Sequence, residues 1–247
     1  VAGNLTTLAA FTDSWDPEKF DLLVGNYRRQ IRGLIDGGAD LLAAETLLYP
    51  QEAEAILTAA ELEGAGAAMY SFTMQGDGSL FSGRDAGPVL RELEEAGACA
   101  VGFNCVAADD MTPGLVSRLR RYVKGNLICK PNAGNPVIGS DNLPHYPLDP
   151  AGFAKIVADC AGMGANILGG CCGTTPDYIR ALAEASVHVP LTELIKKEFT
   201  RVSSYTHAVT FGDDPLLIGE RINPTGKKKF KEALRAHDMD YIYREGL

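Results

Sequence analysis

Short apolar runs alternate with amphipathic stretches along most of the chain. Leu41 to Thr46, Ala67 to Phe72, Ala98 to Phe103, Asn126 to Lys130 and Ala165 to Leu168 are too short for core helices and predict buried strands. Val1-Ala2-Gly3-Asn4 has the character of a strand's end. Helical patterns lie between: Pro17 to Asp36, Pro50 to Glu63, Pro88 to Ala96, Met111 to Tyr122, Pro150 to Gly162 and one from Pro176. In the first, Phe20, Leu23, Tyr27, Ile31, Leu34 and Ile35 share a face, and Gly37-Gly38 ends it. Apolar strands joined by helices predict a parallel sheet covered by helices. The best match is an α/β fold, a TIM-type (β/α) barrel. Six strands fall before residue 186, and the first two of the barrel are expected to precede Val1.

The pattern changes after Val187. Residues 187–214 contain Pro190, a short amphipathic piece from Leu191 to Phe199, Ser203-Ser204 and Gly212-Asp213-Asp214, which together read as a linker with a helix in it. Pro215 to Asn223 predicts a new strand, and Lys227-Lys228-Lys229-Phe230 the start of a basic helix. The expected organisation is a barrel domain over 1–186, a linker over 187–214 and the opening βα unit of a second barrel over 215–247. One such unit cannot close a core by itself.

Composition narrows the function classes. The chain has 247 residues, 46% of them apolar, enough for a sizeable core. A formal net charge of −9 argues against a nucleic-acid or anionic-membrane partner. No apolar run has the length of a membrane span, and no basic region followed by an apolar stretch opens the chain. A cytoplasmic protein is expected. Six cysteines in such a chain are expected as free thiols. Cys99 and Cys160 read as buried structural thiols and Cys129 as a core residue, and the four histidines show no metal-ligand spacing.

Polar and special residues recur where strands end: Glu45, Ser71, Asn104-Cys105, Asn132 and Cys171-Cys172. In barrels of this type the site is built at that end of the strands. Gly169-Gly170-Cys171-Cys172-Gly173-Thr174-Thr175-Pro176 puts two cysteines on a tight turn whose glycines accept strained backbone angles. Adjacent cysteines are poorly placed to bond to each other, but both can face one metal ion. Cys105, 66 positions before Cys171, offers a third thiolate, so the spacing is that of a site assembled from two strands. Three thiolates favour a soft incoming ligand, and a substrate thiol bound there would lose its proton. That chemistry suits alkyl transfer to sulfur. The competing reading is a pair of buried structural cysteines.

Residues 169–176 together with Gly102-Phe103-Asn104-Cys105 resemble the homocysteine-binding domain of the homocysteine S-methyltransferase family. Residues 215–230, Pro-Leu-Leu-Ile-Gly-Glu-Arg-Ile-Asn-Pro-Thr-Gly-Lys-Lys-Lys-Phe, resemble the opening of the pterin-binding domain of the cobalamin-dependent methionine synthases. The resemblance implies methyl transfer from methylcobalamin, recharged by methyltetrahydrofolate, to zinc-activated homocysteine, giving methionine. It implies Cys105, Cys171 and Cys172 as zinc ligands and Asn132 as a fourth ligand before substrate arrives, or a substrate contact. Glu45 would receive the substrate ammonium, and Glu220 and Asn223 would bind the folate. In the family a glycine-rich turn, expected before Val1, holds the amino-acid carboxylate. The cobalamin domain would be a partner outside this chain, and the chain alone is expected to have little or no activity. Two alternatives stand beside this reading. One is a stand-alone homocysteine methyltransferase using betaine or another small donor, against which residues 215–247 argue. The other is a non-catalytic zinc-binding fragment.

Overall fold

The structure, a computed structural model, describes residues 1–8, 19–109, 111–190, 200–203, 208–211 and 226–246. It has two compact units, Val1–Lys196 and Lys197–Leu247. In the first, β1 (Ala2–Thr6), α1 (Phe20–Asp36), β2 (Leu41–Leu47), α2 (Pro50–Leu62), β3 (Ala68–Phe72), α3 (Ala86–Glu95), β4 (Ala100–Ala107), α4 (Thr112–Arg120) and β5 (Asn126–Asn132) follow in strict alternation. A small hairpin, β6 (Val137–Ile138) and β7 (Pro144–His145), precedes α5 (Pro150–Gly162), β8 (Ile167–Leu168) and α6 (Pro176–Ser186). The six larger-sheet strands run parallel in the order β1-β2-β3-β4-β5-β8, so chain neighbours are sheet neighbours. This is a partial α/β barrel of the TIM type.

Strand residues alternate between the two faces of a sheet. One face carries Leu5, Leu42, Ala44, Tyr70, Phe72, Val101, Phe103, Leu127 and Cys129, all buried in one core with residues of α1 to α4. The positions between them include Asn4, Glu45, Ser71, Asn104 and Lys130, which hydrogen-bond or pair with one another across the opposite face. The division is what steers apolar helices to one side and leaves polar chemistry on the other.

Glu52, fully buried in the first turn of α2, fastens the lower numbered units together. Its carboxylate accepts from the Thr7 hydroxyl at 2.8 Å, the Leu8 N–H at 2.9 Å and the Tyr27 hydroxyl at 3.3 Å. It also accepts from the N–H groups of Leu48 and Tyr49, donors that a helix start otherwise leaves unpaired.

Several bounds differ from the sequence reading. α3 begins two residues early because Asp85 accepts from the Gly87 N–H at 3.0 Å and caps it. β4 and β5 run on to Ala107 and Asn132, while β8 keeps only Ile167–Leu168. The β6–β7 hairpin was not expected, since its residues are exposed and carry no burial pattern. All six cysteines are free, and Cys129 and Cys160 are buried. Cys99, expected inside, is exposed: it stands just before β4, ahead of the first strand residue to enter the core.

The second unit holds an antiparallel hairpin, β9 (Thr200–Ser203) with β10 (Ala208–Phe211), then α7 (Lys228–Ala236) and α8 (Met239–Gly246). The hairpin falls in the stretch read as a linker. α7 starts where the basic helix is predicted, with Lys228 and Lys229 exposed and Phe230 buried against the Tyr241 ring. The helix expected over Leu191 to Phe199 and the strand expected over Pro215 to Asn223, with Glu220 and Asn223, lie outside the described residues. Among the described residues no helix is long and apolar enough to cross a membrane.

Candidate metal centre

Two strand ends break the regular ladder in the same way. The β2–β3 register shifts between Ala44 and Leu47, and the β4–β5 register between Asn104 and Ala107. At each shift a non-glycine residue is left-handed, Thr46 with φ 60° and Cys105 with φ 58°. Such a conformation costs on the order of 1–3 kcal/mol per residue and needs outside support. Asn104 supplies it at Thr46, accepting from its N–H and donating to its hydroxyl. Cys105's carbonyl accepts from the Thr73 hydroxyl at 3.2 Å. The bulge turns the Cys105 thiol toward the β8 turn.

Cys171 and Cys172 follow β8 on a turn tied to the end of β5. Cys171 N–H donates to the Pro131 carbonyl at 2.9 Å, and Ala133 N–H to the Cys172 carbonyl at 3.0 Å. Asn132 Oδ1 accepts from the Cys172 N–H at 3.0 Å, and the Thr174 hydroxyl donates to the Cys171 carbonyl at 2.7 Å. Gly173 is left-handed, φ 78°, and lies under the Tyr146 ring, where a Cβ would sit 2.3 Å from the ring's Cγ. Only glycine satisfies both demands.

These two ends bring three sulfurs together. Cys105 Sγ is 3.8 Å from Cys172 Sγ, Cys171 Sγ is 4.0 Å from Cys172 Sγ, and all three lie within 4.8 Å of one another. Bonds of about 2.3 Å from a tetrahedral zinc put its sulfurs about 3.8 Å apart. Two of the three sulfur–sulfur edges therefore have about the spacing found on a face of such a tetrahedron. Among the described residues no other three ligand-bearing side chains of this kind converge.

The cluster is electrostatically prepared for a cation. Hydrogen bonding from Cys105, and then from the Asn104 amide and from Cys172, brings the Cys171 thiol down to about 5. Cys105 moves the other way, because it donates to Cys171, is half-buried and faces its neighbours' charge. The metal-free cluster thus carries negative charge at neutral pH. Burial, followed by the neighbouring Cys172, pushes the Tyr146 phenol up.

Asn132 is buried beside the cluster, with its side-chain oxygen on the Cys172 N–H. Glu45 faces the same side of the sheet, paired with the Lys130 ammonium and accepting from Asn4 Nδ2 at 3.2 Å. A cavity of about 320 Å³ adjoins Cys105 and Asn132, walled by Met74, Phe81, Met111 and Leu115. The sequence reading marked Asn104 as a strand-end residue without a role, and passed over Thr46, Lys130 and Tyr146. Lys130 had a signal: a charge in the otherwise apolar run Leu127-Ile128-Cys129.

Residues 1–186 match the family model described as homocysteine S-methyltransferase. Methionine synthases of Mycobacterium leprae (strain TN) and Mycobacterium tuberculosis (strain ATCC 25618 / H37Rv) are each 33% identical, over 225 and 220 residues. Each match covers 86% of this chain but only 19% and 18% of those proteins, so the chain spans about a fifth of the curated relatives' length. Among solved structures, the apo form of the Escherichia coli homocysteine methyltransferase MmuM aligns with a TM-score of 0.59 at 26% identity, over 75% of this chain and 62% of that one. Its metallated form aligns with a TM-score of 0.57 at 27% identity, over 70% and 53%.

Proposed function

The chain belongs to the homocysteine S-methyltransferase family, and from that premise we propose that Cys105, Cys171 and Cys172 hold a catalytic zinc ion beside which homocysteine is methylated to methionine. The observation that carries this reading is the sulfur spacing of 3.8 and 4.0 Å, which matches a tetrahedral zinc. Bound zinc supplies a Lewis acid that keeps the substrate thiol deprotonated at neutral pH. The homocysteine thiol would release its proton to solvent, and its sulfur would form the new carbon–sulfur bond as the methyl group's bond to its donor breaks and that electron pair stays with the donor.

The chain's own residues do the holding. Asn104 steadies Cys171 through its amide, and Asn132 fixes the turn through the Cys172 N–H. Asn132 is also the candidate for the fourth ligand position before substrate binds. Glu45 receives the substrate ammonium, a charge of the sign it already pairs with in Lys130.

The methyl donor in this reading is methylcobalamin on a separate domain, recharged from methyltetrahydrofolate on a pterin barrel that opens at residues 215–247. Residues 1–186 form the homocysteine domain, 187–214 the linker, and Glu220 and Asn223 contact the folate. The likeness to methionine synthases covers 86% of the chain and so runs past residue 186, which favours this donor over betaine or another small one. Full turnover requires the cobalamin domain, and a cytoplasmic setting suits three free thiols.

Zinc content and zinc X-ray absorption of the purified chain, wild type against Cys105→Ser, test the reading. Expected are about one zinc per chain, lost in the variant, and an added sulfur neighbour when homocysteine is supplied. A folded wild-type chain, by circular dichroism, that takes up no zinc overturns it.

A further inference from the structure

Asn104 is only 1% exposed, so each polar atom of its amide needs a partner inside the protein. It has four. Oδ1 accepts from the Thr46 N–H and from the Ser71 hydroxyl, both at 2.8 Å. Nδ2 donates to the Thr46 hydroxyl at 2.7 Å and to Cys171 Sγ at 3.7 Å. A side-chain amide offers two acceptor and two donor positions, so none is left over.

Of these partners, the Thr46 N–H decides which way round the amide sits. The Ser71 and Thr46 hydroxyls can give or take a hydrogen bond, but a backbone N–H only gives one. With the amide turned over, its NH2 group would meet the Thr46 N–H, donor against donor, and its oxygen would face the Cys171 sulfur. Thr46 presents that N–H from the β2 register shift, where its φ is 60°. A backbone group of β2 thus fixes a donor, and not an acceptor, on a sulfur of the cluster. An N–H given to a thiolate draws electron density from the sulfur. A sulfur so engaged donates less to a bound metal, which keeps more positive charge for its next ligand.

We propose that Asn104 is a positioning residue that acts through Cys171: its N–H weakens the donation of that one sulfur to a metal ion held by the three cysteines, and so strengthens the ion's hold on an incoming substrate thiolate. The proposal rests on the reading that Cys105, Cys171 and Cys172 hold the metal. It gives the amide an electronic role besides its steadying one, with Thr46 as the residue that sets its direction.

The test is absorption spectroscopy of the cobalt(II)-loaded chain, in which thiolate-to-cobalt charge transfer reports how strongly the sulfurs donate. Asn104→Asp keeps an oxygen for the Thr46 N–H and the Ser71 hydroxyl, and replaces the N–H facing Cys171 with a second oxygen. Asn104→Ala removes both. Ser71→Ala removes one partner of Oδ1 and leaves the N–H on the sulfur. The charge-transfer band is expected to move to lower energy in both Asn104 variants and to stay in place in Ser71→Ala, whatever each does to the urea midpoint. Homocysteine, titrated at neutral pH into the cobalt-loaded Asn104→Asp chain, is expected to bind about 10- to 100-fold more weakly, the range for a lost outer-shell partner. An unmoved band in Asn104→Asp overturns the proposal and leaves the metal reading intact. A band that moves as far in Ser71→Ala as in the Asn104 variants also overturns it, and makes Asn104 a structural support alone. A folded wild-type chain with no thiolate-to-cobalt band overturns the metal reading and this proposal together.

Discussion

Asn104 grips Thr46 with both ends of its amide: Oδ1 accepts from the Thr46 N–H at 2.8 Å, and Nδ2 donates to the Thr46 hydroxyl at 2.7 Å. The same oxygen accepts from the Ser71 hydroxyl at 2.8 Å, and the same nitrogen reaches Cys171 Sγ at 3.7 Å. One side chain thus links β2, β3, β4 and the turn after β8, and it holds Thr46 in a conformation that a β-branched residue resists.

Asn104→Ala leaves the Ser71 hydroxyl and the Thr46 N–H without this acceptor. The expected loss is about 1–3 kcal/mol of stability in the metal-free protein. Urea unfolding of wild type and variant measures it, and a variant as stable as wild type would show that the bulge stands without the amide.

Cys171 is the thiol most inclined to be anionic. Its value is brought down to about 5, so it is charged above that pH and neutral below it. Cys129 is pushed up by its hydrogen bond to Cys160 and by complete burial. In metal-free protein at neutral pH, iodoacetamide is expected to modify Cys171 ahead of Cys105 and Cys129. The rate should fall as pH drops through about 5 and be suppressed by added zinc. Peptide mass spectrometry reads the order of labelling.

Gly173→Ala places a Cβ 2.3 Å from the Tyr146 ring at a residue with φ 78°. The backbone strain alone costs about 1–2 kcal/mol, and the overlap displaces either the ring or the cysteine turn. Zinc affinity measured against a competing chelator is expected to fall. Adding Tyr146→Ala should recover the part due to overlap and leave the part due to φ.

Glu63 draws α2 onto α1, accepting from Arg28 Nε at 2.7 Å and Arg32 Nε at 2.9 Å. These two guanidinium groups hold its carboxyl below the usual range. A depressed carboxyl stabilises the fold above its unfolded value, and that contribution is lost as pH falls through the folded one. Glu63→Gln is therefore expected to lower the urea midpoint at neutral pH and to converge with wild type in acid. Parallel curves at all pH values would remove the pair from the acid response.

The strands and their order were legible because each is a short apolar run between helical patterns, and consecutive βα units pair in chain order. The convergence of Cys105 with Cys171 and Cys172 was legible from a glycine turn and from strand-end position. The partners of Glu45 were not. Lys130 is 85 positions away and meets it only because the sheet curls, which no local pattern encodes. Likewise Asn104 looked like any strand-end amide, since its work depends on a bulge in a different strand. The β6–β7 hairpin left no trace because its apolar residues Val137 and Ile138 face solvent.

β8 meets β5 through only two register pairs, Ile128 with Ile167 and Cys129 with Leu168. So short a strand contributes little of its own to cohesion. An ion shared by Cys105 and the two cysteines after β8 would close a loop of 66 residues that contains α4, β5, α5 and β8 itself. Closing a long loop removes freedom from the unfolded chain, and its worth grows only slowly with length. The ion that prepares the sulfur for chemistry would then also be the clasp of the last third of the sheet. Chelation should show first as faster amide exchange along β8 and its turn, before any loss of the helices packed on β1 to β4.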